Sequence, residues 1–198
     1  MTNQSIPAFT IFGPPGCGKG TQAAVIKERL EYLHVSTGDI FRAALAKGDP
    51  AALQAKELME RGELVPDETI RDMLVGQLKA ILEESSGAKG LILDGFPRTL
   101  GQAGMLEDIL KQLNLRFTGC VSLKVDEEEL VQRLIKRAEI EKRPDDTEEV
   151  IRERMRVYQE KTQPLENYFA EKNQLIEVEG LGTIDEVYGR LAPIINRW

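Results

Sequence analysis

The sequence predicts an α/β fold in which a parallel sheet carries helices on both faces. Short apolar runs typical of buried strands alternate along the chain with longer segments of helical periodicity. A glycine-rich stretch separates the first apolar run from the first helical segment. Because sheets of this kind bind their ligands at the carboxyl ends of the strands, we expect functional residues in the segments that follow the strands.

Four apolar runs are predicted to be buried strands of this sheet. They are short, and the first one ends in glycines. The runs are Ala8–Phe12, Leu91–Leu93, Cys120–Leu123 and Leu175–Val178.

Helical periodicity fills the segments between these runs. From Gly38 to about Leu82 helix follows helix, with interruptions at Gly48 and Gly62. We interpret this region as a helical insertion attached to the sheet. The other predicted helices span Gly18–Leu30, Leu100–Leu113, Glu127–Glu141, Thr147–Phe169 and Ile184–Ile195.

Length and composition favour one soluble domain, residues 1–198. The chain is 41% hydrophobic and 30% charged, and its net charge of −7 argues against a general nucleic-acid binder. No apolar stretch approaches the ~18 residues of a membrane span, and the N-terminus lacks the pattern of a secretory signal. Cys17 and Cys120 show no metal-site spacing and are expected to be free thiols. We therefore expect a cytoplasmic protein without nucleic-acid or membrane partners.

A phosphate-binding loop is predicted between Gly13 and Thr21. The sequence Gly-Pro-Pro-Gly-Cys-Gly-Lys-Gly-Thr follows a strand and opens a helix, which is the context that this motif requires. Glycines let the backbone point its N–H groups at phosphate oxygens, and the helix N-terminus adds partial positive charge. Lys19 would reach the β- and γ-phosphates. Gly20 stands where most such loops carry a Ser or Thr ligand of Mg²⁺, so we expect the metal to be held largely by nucleotide oxygens and water.

Several motifs together resemble the adenylate kinase family of nucleoside monophosphate kinases. The Gly-Lys-Gly-Thr end of the phosphate loop is similar to these enzymes, and the resemblance extends over nearly the whole chain. The further motifs are Thr37-Gly-Asp39 with Arg42, Gly62–Asp67, Asp94–Arg98 followed by Gln102, and the series Arg137, Arg143 and Arg154.

This resemblance implies a fold, a reaction and a division of the chain. The implied fold is that of the P-loop NTPases, with a central five-stranded parallel sheet, an AMP-binding insertion at residues 37–65 and a short lid at residues 137–147. The implied reaction is reversible transfer of the γ-phosphoryl group from MgATP to AMP, which gives two ADP. ATP, AMP and ADP are then the partners, Mg²⁺ is the cofactor, and a monomer is the family-like expectation.

The resemblance also assigns site residues by their positions in these motifs. The residues implied in catalysis are Lys19, Arg98, Arg137, Arg143 and Arg154. Those implied on the ATP side are Gly16, Cys17, Gly18, Lys19, Gly20, Thr21, Arg137 and Gly182. Those implied on the AMP side are Thr37, Arg42, Glu63, Leu64, Val65, Gly95, Phe96, Pro97, Arg98, Gln102, Arg143 and Arg154. Asp94 is implied to organise metal-bound water.

The residue types at these positions suit phosphoryl transfer. An acceptor monophosphate carries about two negative charges, and arginines bind it through bidentate, charge-assisted hydrogen bonds. The transfer spreads negative charge over oxygens, so its catalysis is positioning plus electrostatic stabilisation. No general base is required, because the acceptor phosphate is already anionic. Gln102 has a donor and an acceptor, which match an adenine edge.

The lid segment is short and contains no cysteine. Only five residues separate Arg137 from Arg143, which is similar to the short-lid members of the family, so we expect no structural zinc. Arg133, four residues before Arg137, fits either a lid arginine or a solvated helix charge. The sole histidine, His34, is expected to be structural.

Three alternatives remain open on the sequence. The acceptor could be UMP or CMP instead of AMP. A nucleotide switch or motor is a second alternative, but it would want a Ser or Thr after Lys19 and would have no use for a second phosphate pocket. Gly20 and the Gly95–Arg98 motif therefore count against it. A scaffold with a vestigial phosphate loop is disfavoured because the implied lysine and arginines are all present.

Overall fold

The computed structural model describes residues 5–85, 87–141 and 147–198. Its strands are β1 Ile6–Phe12, β2 Tyr32–Ser36, β3 Gly90–Asp94, β4 Leu115–Lys124 and β5 Leu175–Glu179. Within the described ranges they form one five-stranded parallel sheet with the order β2-β3-β1-β4-β5. The predicted α/β fold with a parallel sheet is thereby confirmed.

Helices connect and cover these strands. In chain order they are α1 Lys19–Leu30, α2 Thr37–Ala46, α3 Pro50–Glu60, α4 Asp67–Glu84, α5 Leu100–Gln112, α6 Glu127–Glu141, α7 Glu148–Val157, α8 Pro164–Glu171 and α9 Ile184–Ile195. A π-helical turn, Tyr158–Thr162, joins α7 to α8. The predicted run of helices between Gly38 and Leu82 is confirmed as α2, α3 and α4.

Polar side chains fix the starts of many of these helices. The Ser36 hydroxyl accepts a hydrogen bond from the backbone N–H of Asp39 at the start of α2. Asp49 caps α3, whose first residue is Pro50, and Thr99 caps α5. At α9, Thr183 and Glu186 form a reciprocal capping box. Of these helices, α2, α5 and α9 follow strands, so their starts lie near the carboxyl ends of the strands, where the sequence predicts the site.

The hydrophobic core lies on both faces of the sheet. Leu91 and Leu93 of β3 pack on one face with residues of α4, α5 and α8. Ile92, between them, packs on the other face with residues of α1, α6 and α9. All three side chains are fully buried, so the strand is apolar throughout, as expected for a parallel sheet with two covered faces.

Two parts of the fold differ from the sequence-based prediction. Strand β2 was not predicted, although it pairs with β3 from Tyr32 to Ser36. The predicted continuous helix Thr147–Phe169 is interrupted by the π-helical turn, in which the N–H of Gln163 donates to the carbonyl of Tyr158 at 2.8 Å. Pro164, which follows, has no N–H to donate, so the regular helical ladder is broken at this point.

No helix in the described part of the chain is both long enough and apolar enough to cross a membrane.

Candidate functional site

A cleft of about 1220 Å³ opens at the carboxyl ends of the strands. It is lined by the loop after β1, the start of α2, the turn after α3, the loop after β3, parts of α6 and α7, and the loop after β5. The cleft therefore brings together segments that are far apart in the sequence. Most of the residues implied by the family resemblance line it, which are Gly16, Cys17, Gly18, Lys19, Gly20, Thr21, Arg42, Glu63, Leu64, Asp94, Gly95, Pro97, Arg98, Arg137, Arg154 and Gly182.

The loop after β1 has the backbone shape of a phosphate-binding loop. Gly13, Gly16 and Gly18 all have positive φ angles, of 137°, 86° and 95°. A Cβ atom on Gly16 would lie 2.9 Å from Leu134 Cγ of α6, so the loop packs tightly against that helix. Gly18 precedes the first residue of α1, which directs the N-terminus of the helix into the cleft.

Lys19 extends its side chain back over this loop. Its Nζ donates to the carbonyl oxygens of Gly13 at 2.7 Å and Pro14 at 3.0 Å, and it lies 3.6 Å from Cys17 Sγ. The ammonium is thus held against the backbone of the loop. Cys17 itself is buried, and its thiol packs under the loop.

Asp94 ends β3 and faces the start of α1. Burial raises the pKa of its carboxyl, but His34 and the positive charges of Lys19 and Arg98 outweigh burial and lower it overall. The carboxylate is therefore ionised near neutral pH. A Cβ atom on Gly20 would lie 3.6 Å from Asp94 Oδ2, so the glycine leaves space beside the carboxylate. A carboxylate next to open space, with a phosphate-binding loop nearby, fits a hydrated Mg²⁺ ion.

His34 lies in the same part of the cleft, which the sequence did not indicate. Its Nε2 is 3.5 Å from Asp94 Oδ2, a close approach without a well-formed hydrogen bond. The pairing of β2 with β3, which sets Ser36 opposite Asp94, brings the histidine there. No pattern around His34 in the sequence could have revealed this contact.

The loop after β3 presents Arg98 to the cleft. Gly95 has a φ of 78°, and a Cβ atom there would lie 2.7 Å from both Arg98 Nη2 and Thr37 Oγ1. Arg98 Nε donates to the carbonyl of Gly95 at 2.9 Å, and Thr37 Oγ1 donates to the same carbonyl at 2.9 Å. The peptide bond between Phe96 and Pro97 is cis. Thr37 and Phe96 are themselves buried, so they support this loop from below rather than line the cleft.

Gln102 and Val65 also lie beneath the cleft surface. Gln102 is fully buried, and both ends of its amide are occupied within the protein. The N–H of Arg98 donates to Oε1 at 2.7 Å, and Nε2 donates to Asp67 Oδ1 at 2.7 Å. Val65 is 6% exposed and belongs to the core under the insertion. The expected contact of Gln102 with an adenine stays a prediction, and in this conformation the side chain does not line the cleft.

Further arginines surround the cleft. Arg42 of α2 binds the Asp39 carboxylate at 2.5 Å, and Arg137 of α6 and Arg154 of α7 both line the cleft. Arg143 and residues 142–146 of the expected lid lie outside the described residues.

Arg133 is also part of the cleft, a position that the sequence left undecided. Its Nη1 donates to the carbonyl of Gly180 at 3.3 Å, and its Nε binds Glu129 at 2.7 Å. A Cβ atom on Gly18 would lie 3.9 Å from Nη1, so Arg133 passes close to the phosphate-binding loop while it bonds to the loop after β5. In that second loop, Gly182 has a φ of 114°, and the exposed Ile184 offers an apolar surface to the cleft.

Among residues 5–85, 87–141 and 147–198, no group of three or more His, Cys, Asp or Glu side chains could hold a metal ion.

Comparison with known proteins agrees with this geometry. The family model described as Adenylate kinase matches residues 11–174. The chain is similar to a curated protein named Adenylate kinase from Thermus thermophilus, with 46% identity over 189 residues that cover 96% of this chain and 97% of the relative. It is also similar to a protein of the same name from Xanthomonas euvesicatoria, with 42% identity over 96% of this chain and 99% of the relative. Because the match extends over almost the full length of these proteins, the chain belongs to the adenylate kinase family of phosphotransferases.

Proposed function

We propose that this member of the family transfers the γ-phosphoryl group of ATP to AMP, reversibly, in the cleft at the carboxyl ends of the strands. The observation that carries the proposal is the arrangement around Asp94. Lys19 of the phosphate-binding loop and Arg98 line the same cleft as Asp94, and both lie close enough to it for their charges to lower the pKa of its carboxyl. Two phosphate-binding segments that share one cleft suit a reaction between two phosphorylated nucleotides.

ATP would occupy the side of the cleft formed by residues 16–21. Backbone N–H groups of the loop and the N-terminus of α1 would bind its phosphates. The ammonium of Lys19 would exchange the carbonyls of Gly13 and Pro14 for oxygens of the β- and γ-phosphates. Arg133, Gly182 and Ile184 surround the space next to the loop, and they are our candidates for contacting the adenine.

AMP would occupy the side formed by α2, the turn after α3 and the loop after β3. Arg98 and Arg42 would hold its phosphate through charge-assisted hydrogen bonds. Arg137 and Arg154, together with Arg143 of the lid, would neutralise the charge that develops on the transferred group. The phosphate oxygen of AMP is the nucleophile, so no side chain needs to remove a proton.

Mg²⁺ bound with ATP would supply charge neutralisation at the transferred phosphoryl group. Asp94 would hold the ion through a water molecule, and Gly20 would leave room for that water. The ionised carboxylate suits this role because its pKa is lowered by the neighbouring positive charges.

We also propose that the insertion at residues 37–65 and the lid at residues 137–147 close over both substrates. Closure would exclude water, which could otherwise accept the phosphoryl group. Hydrogen exchange in α2 and α3 should slow when an inhibitor that joins ATP and AMP is added. Unchanged exchange in both helices would contradict closure of the insertion.

The decisive experiment uses ADP as the only nucleotide. Purified protein with MgADP should produce ATP and AMP in equal amounts, because only an enzyme that accepts adenine nucleotides in both sites makes both products. Production of AMP and phosphate without ATP would instead indicate hydrolysis. Removal of Mg²⁺ by a chelator should stop the reaction, and its return should restore it.

The choice of acceptor base needs its own measurement. With ATP as donor, AMP should exceed CMP, UMP and GMP in kcat/KM by at least about tenfold, since a mismatched base leaves buried polar groups unpaired. Equal rates with CMP or UMP would make this chain a pyrimidine-nucleotide kinase. We expect a monomer, which sedimentation at working concentration would test.

A further inference from the structure

Asp67 connects the end of the insertion to the loop that carries Arg98. It is the first residue of α4, directly after the Gly62–Pro66 turn. Its Oδ1 accepts from Gln102 Nε2 at 2.7 Å, and its Oδ2 accepts from the Thr99 hydroxyl at 3.0 Å. Both partners belong to the start of α5, so one carboxylate joins the two helices.

The connection continues from Gln102 to Arg98. Gln102 Oε1 accepts from the backbone N–H of Arg98 at 2.7 Å, and the amide is fully buried. On the other side, the carbonyl of Arg98 accepts from the Thr162 hydroxyl at 3.0 Å. Because a buried amide is costly to leave unpaired, the position of Asp67 constrains Gln102 and, through it, the backbone of Arg98.

Gly101 supplies independent support for this close contact. A Cβ atom on Gly101 would lie 2.8 Å from Asp67 Oδ2, although this residue lies within a helix and has an ordinary backbone conformation. Gly104, one turn later on α5, has no neighbouring atom within 4 Å of its Cβ position. The absence of a side chain at Gly101 thus leaves room for the Asp67 carboxylate, whereas a Cβ atom at Gly104 would meet no neighbouring atom.

We propose that Asp67 is a positioning residue of the acceptor site, which acts through the Gln102 amide on Arg98. This inference rests on the proposed function. The carboxylate holds the amide with its oxygen toward Arg98, and so it fixes the backbone from which the guanidinium reaches the acceptor phosphate. It also links the insertion that ends at residue 65 to the same arginine, so a shift of the insertion is transmitted to the phosphate-binding group.

An alternative role of Asp67 is to stabilise α4, because its negative charge lies at the helix N-terminus, which carries partial positive charge. The variants Asp67→Ala and Asp67→Asn separate the two roles, because both remove the charge. Asparagine retains an oxygen that can accept from Gln102 Nε2, and its NH₂ group can donate to the Thr99 hydroxyl oxygen. Alanine retains neither contact.

The test measures KM for AMP, KM for ATP and the melting temperature in each variant. Asp67→Ala should raise KM for AMP about tenfold and leave KM for ATP within about twofold. Asp67→Asn should stay within about threefold of the wild-type KM for AMP. Gly101→Ala should raise KM for AMP, since its Cβ displaces the carboxylate, while the helix preference of alanine should offset part of the stability lost with the Gln102 contact. Gly104→Ala, the matched control, should leave KM for AMP unchanged.

Three outcomes would overturn the proposal. The first is an equal rise in KM for AMP in Asp67→Ala and Asp67→Asn. The second is an equal rise in KM for AMP and in KM for ATP in Asp67→Ala. The third is the same KM for AMP in Gly101→Ala and Gly104→Ala. If Asp67→Ala does not fold, the comparison of the two glycine variants still decides. A wild-type protein that makes no ATP and AMP from ADP would refute the proposed function instead, independently of these variants.

Discussion

Gly62 and Arg154 are in direct contact, although they belong to different parts of the chain. A Cβ atom on Gly62 would lie 2.9 Å from Arg154 Cγ and 3.2 Å from the carbonyl of Val150. Gly62 follows α3 in the insertion, and Arg154 lies on α7, which follows the lid. The aliphatic part of the Arg154 side chain therefore packs against Gly62 of the insertion, with no room for a side chain at residue 62.

Gly62→Ala should displace Arg154 and reduce turnover. The substitution also strains the backbone, because the φ of Gly62 is 78°. Gly48→Ala is the matched control, since Gly48 has a φ of 73° but no atom near its Cβ position. The positive φ should cost both variants about 1 kcal/mol of unfolding free energy, and the clash should cost Gly62→Ala more; only Gly62→Ala should lower kcat, by about tenfold or more. Equal kcat values in the two variants would contradict a role for this contact.

Lys19→Met should lower kcat by about two to three orders of magnitude while the protein stays folded. The lost charge acts mainly on the phosphoryl group in transit, so KM for ATP should change much less than kcat. Lys27→Met, on the exposed face of the same helix, is the control and should behave as the wild type. Near-native turnover of Lys19→Met would remove the lysine from the proposed mechanism.

Arg98→Ala should impair the use of AMP far more than the binding of ATP. Loss of a charge-assisted hydrogen bond predicts a decrease of about ten- to a hundredfold in kcat/KM for AMP. Separate titrations of ATP and AMP into the variant would measure the difference. Arg71→Ala, which removes an exposed arginine of α4, should affect neither. An equal loss of affinity for both nucleotides would place Arg98 elsewhere in the mechanism.

Cys120 should make the protein less stable at alkaline pH. Burial in β4 raises the pKa of its thiol far above the ordinary value of 9.0. Above pH 9 the unfolded chain therefore releases a proton that the folded chain keeps, so the free energy of unfolding falls as pH rises. The contribution has a slope of about 1.4 kcal/mol for each pH unit.

Cys120→Ala provides the comparison for this pH dependence. The variant loses some packing at every pH, but its unfolding free energy should approach that of the wild type as the pH rises above 9. Parallel curves for the two proteins would show that the thiol does not titrate in this way. The folded protein should also protect Cys120 from alkylating reagents at neutral pH, since the side chain is fully buried.

Much of the fold could be predicted because apolar patterns report burial directly. Helices α6 and α9 begin and end where the periodicity predicted. Strand β2 escaped because its residues, Tyr-Leu-His-Val-Ser, mix polar and apolar side chains at the edge of the sheet. The π-helical turn escaped for a different reason. Pro164 has no N–H and breaks the helical ladder there, but the periodicity on both sides of it was interpreted as one continuous helix.

Within the site, the sequence predicted which residues line the cleft better than it predicted the contacts and burial of their side chains. The glycine-rich loop and Asp94 line the cleft together with Arg42, Arg98, Arg137 and Arg154, while Arg143 lies outside the described residues. The place of His34 depends on strand register, and the burial of Gln102 depends on Asp67, a partner 35 residues away. Such contacts are set by tertiary packing, and neither leaves a local signal in the sequence.

The sheet fixes the spacing between the phosphate-binding loop and the loop that carries Arg98. Ile11 of β1 pairs with Asp94 of β3, so these two loops leave adjacent strands. Adjacent strands lie about 4.8 Å apart, a spacing set by backbone hydrogen bonds that no side chain alters. Substitutions in the cleft can change its charge, but they do not change this spacing. A one-residue deletion in β1 or β3 would instead shift the register of the strand and turn its buried side chains to the opposite face of the sheet. The loop that follows the strand would then lose its position relative to the hydrophobic core.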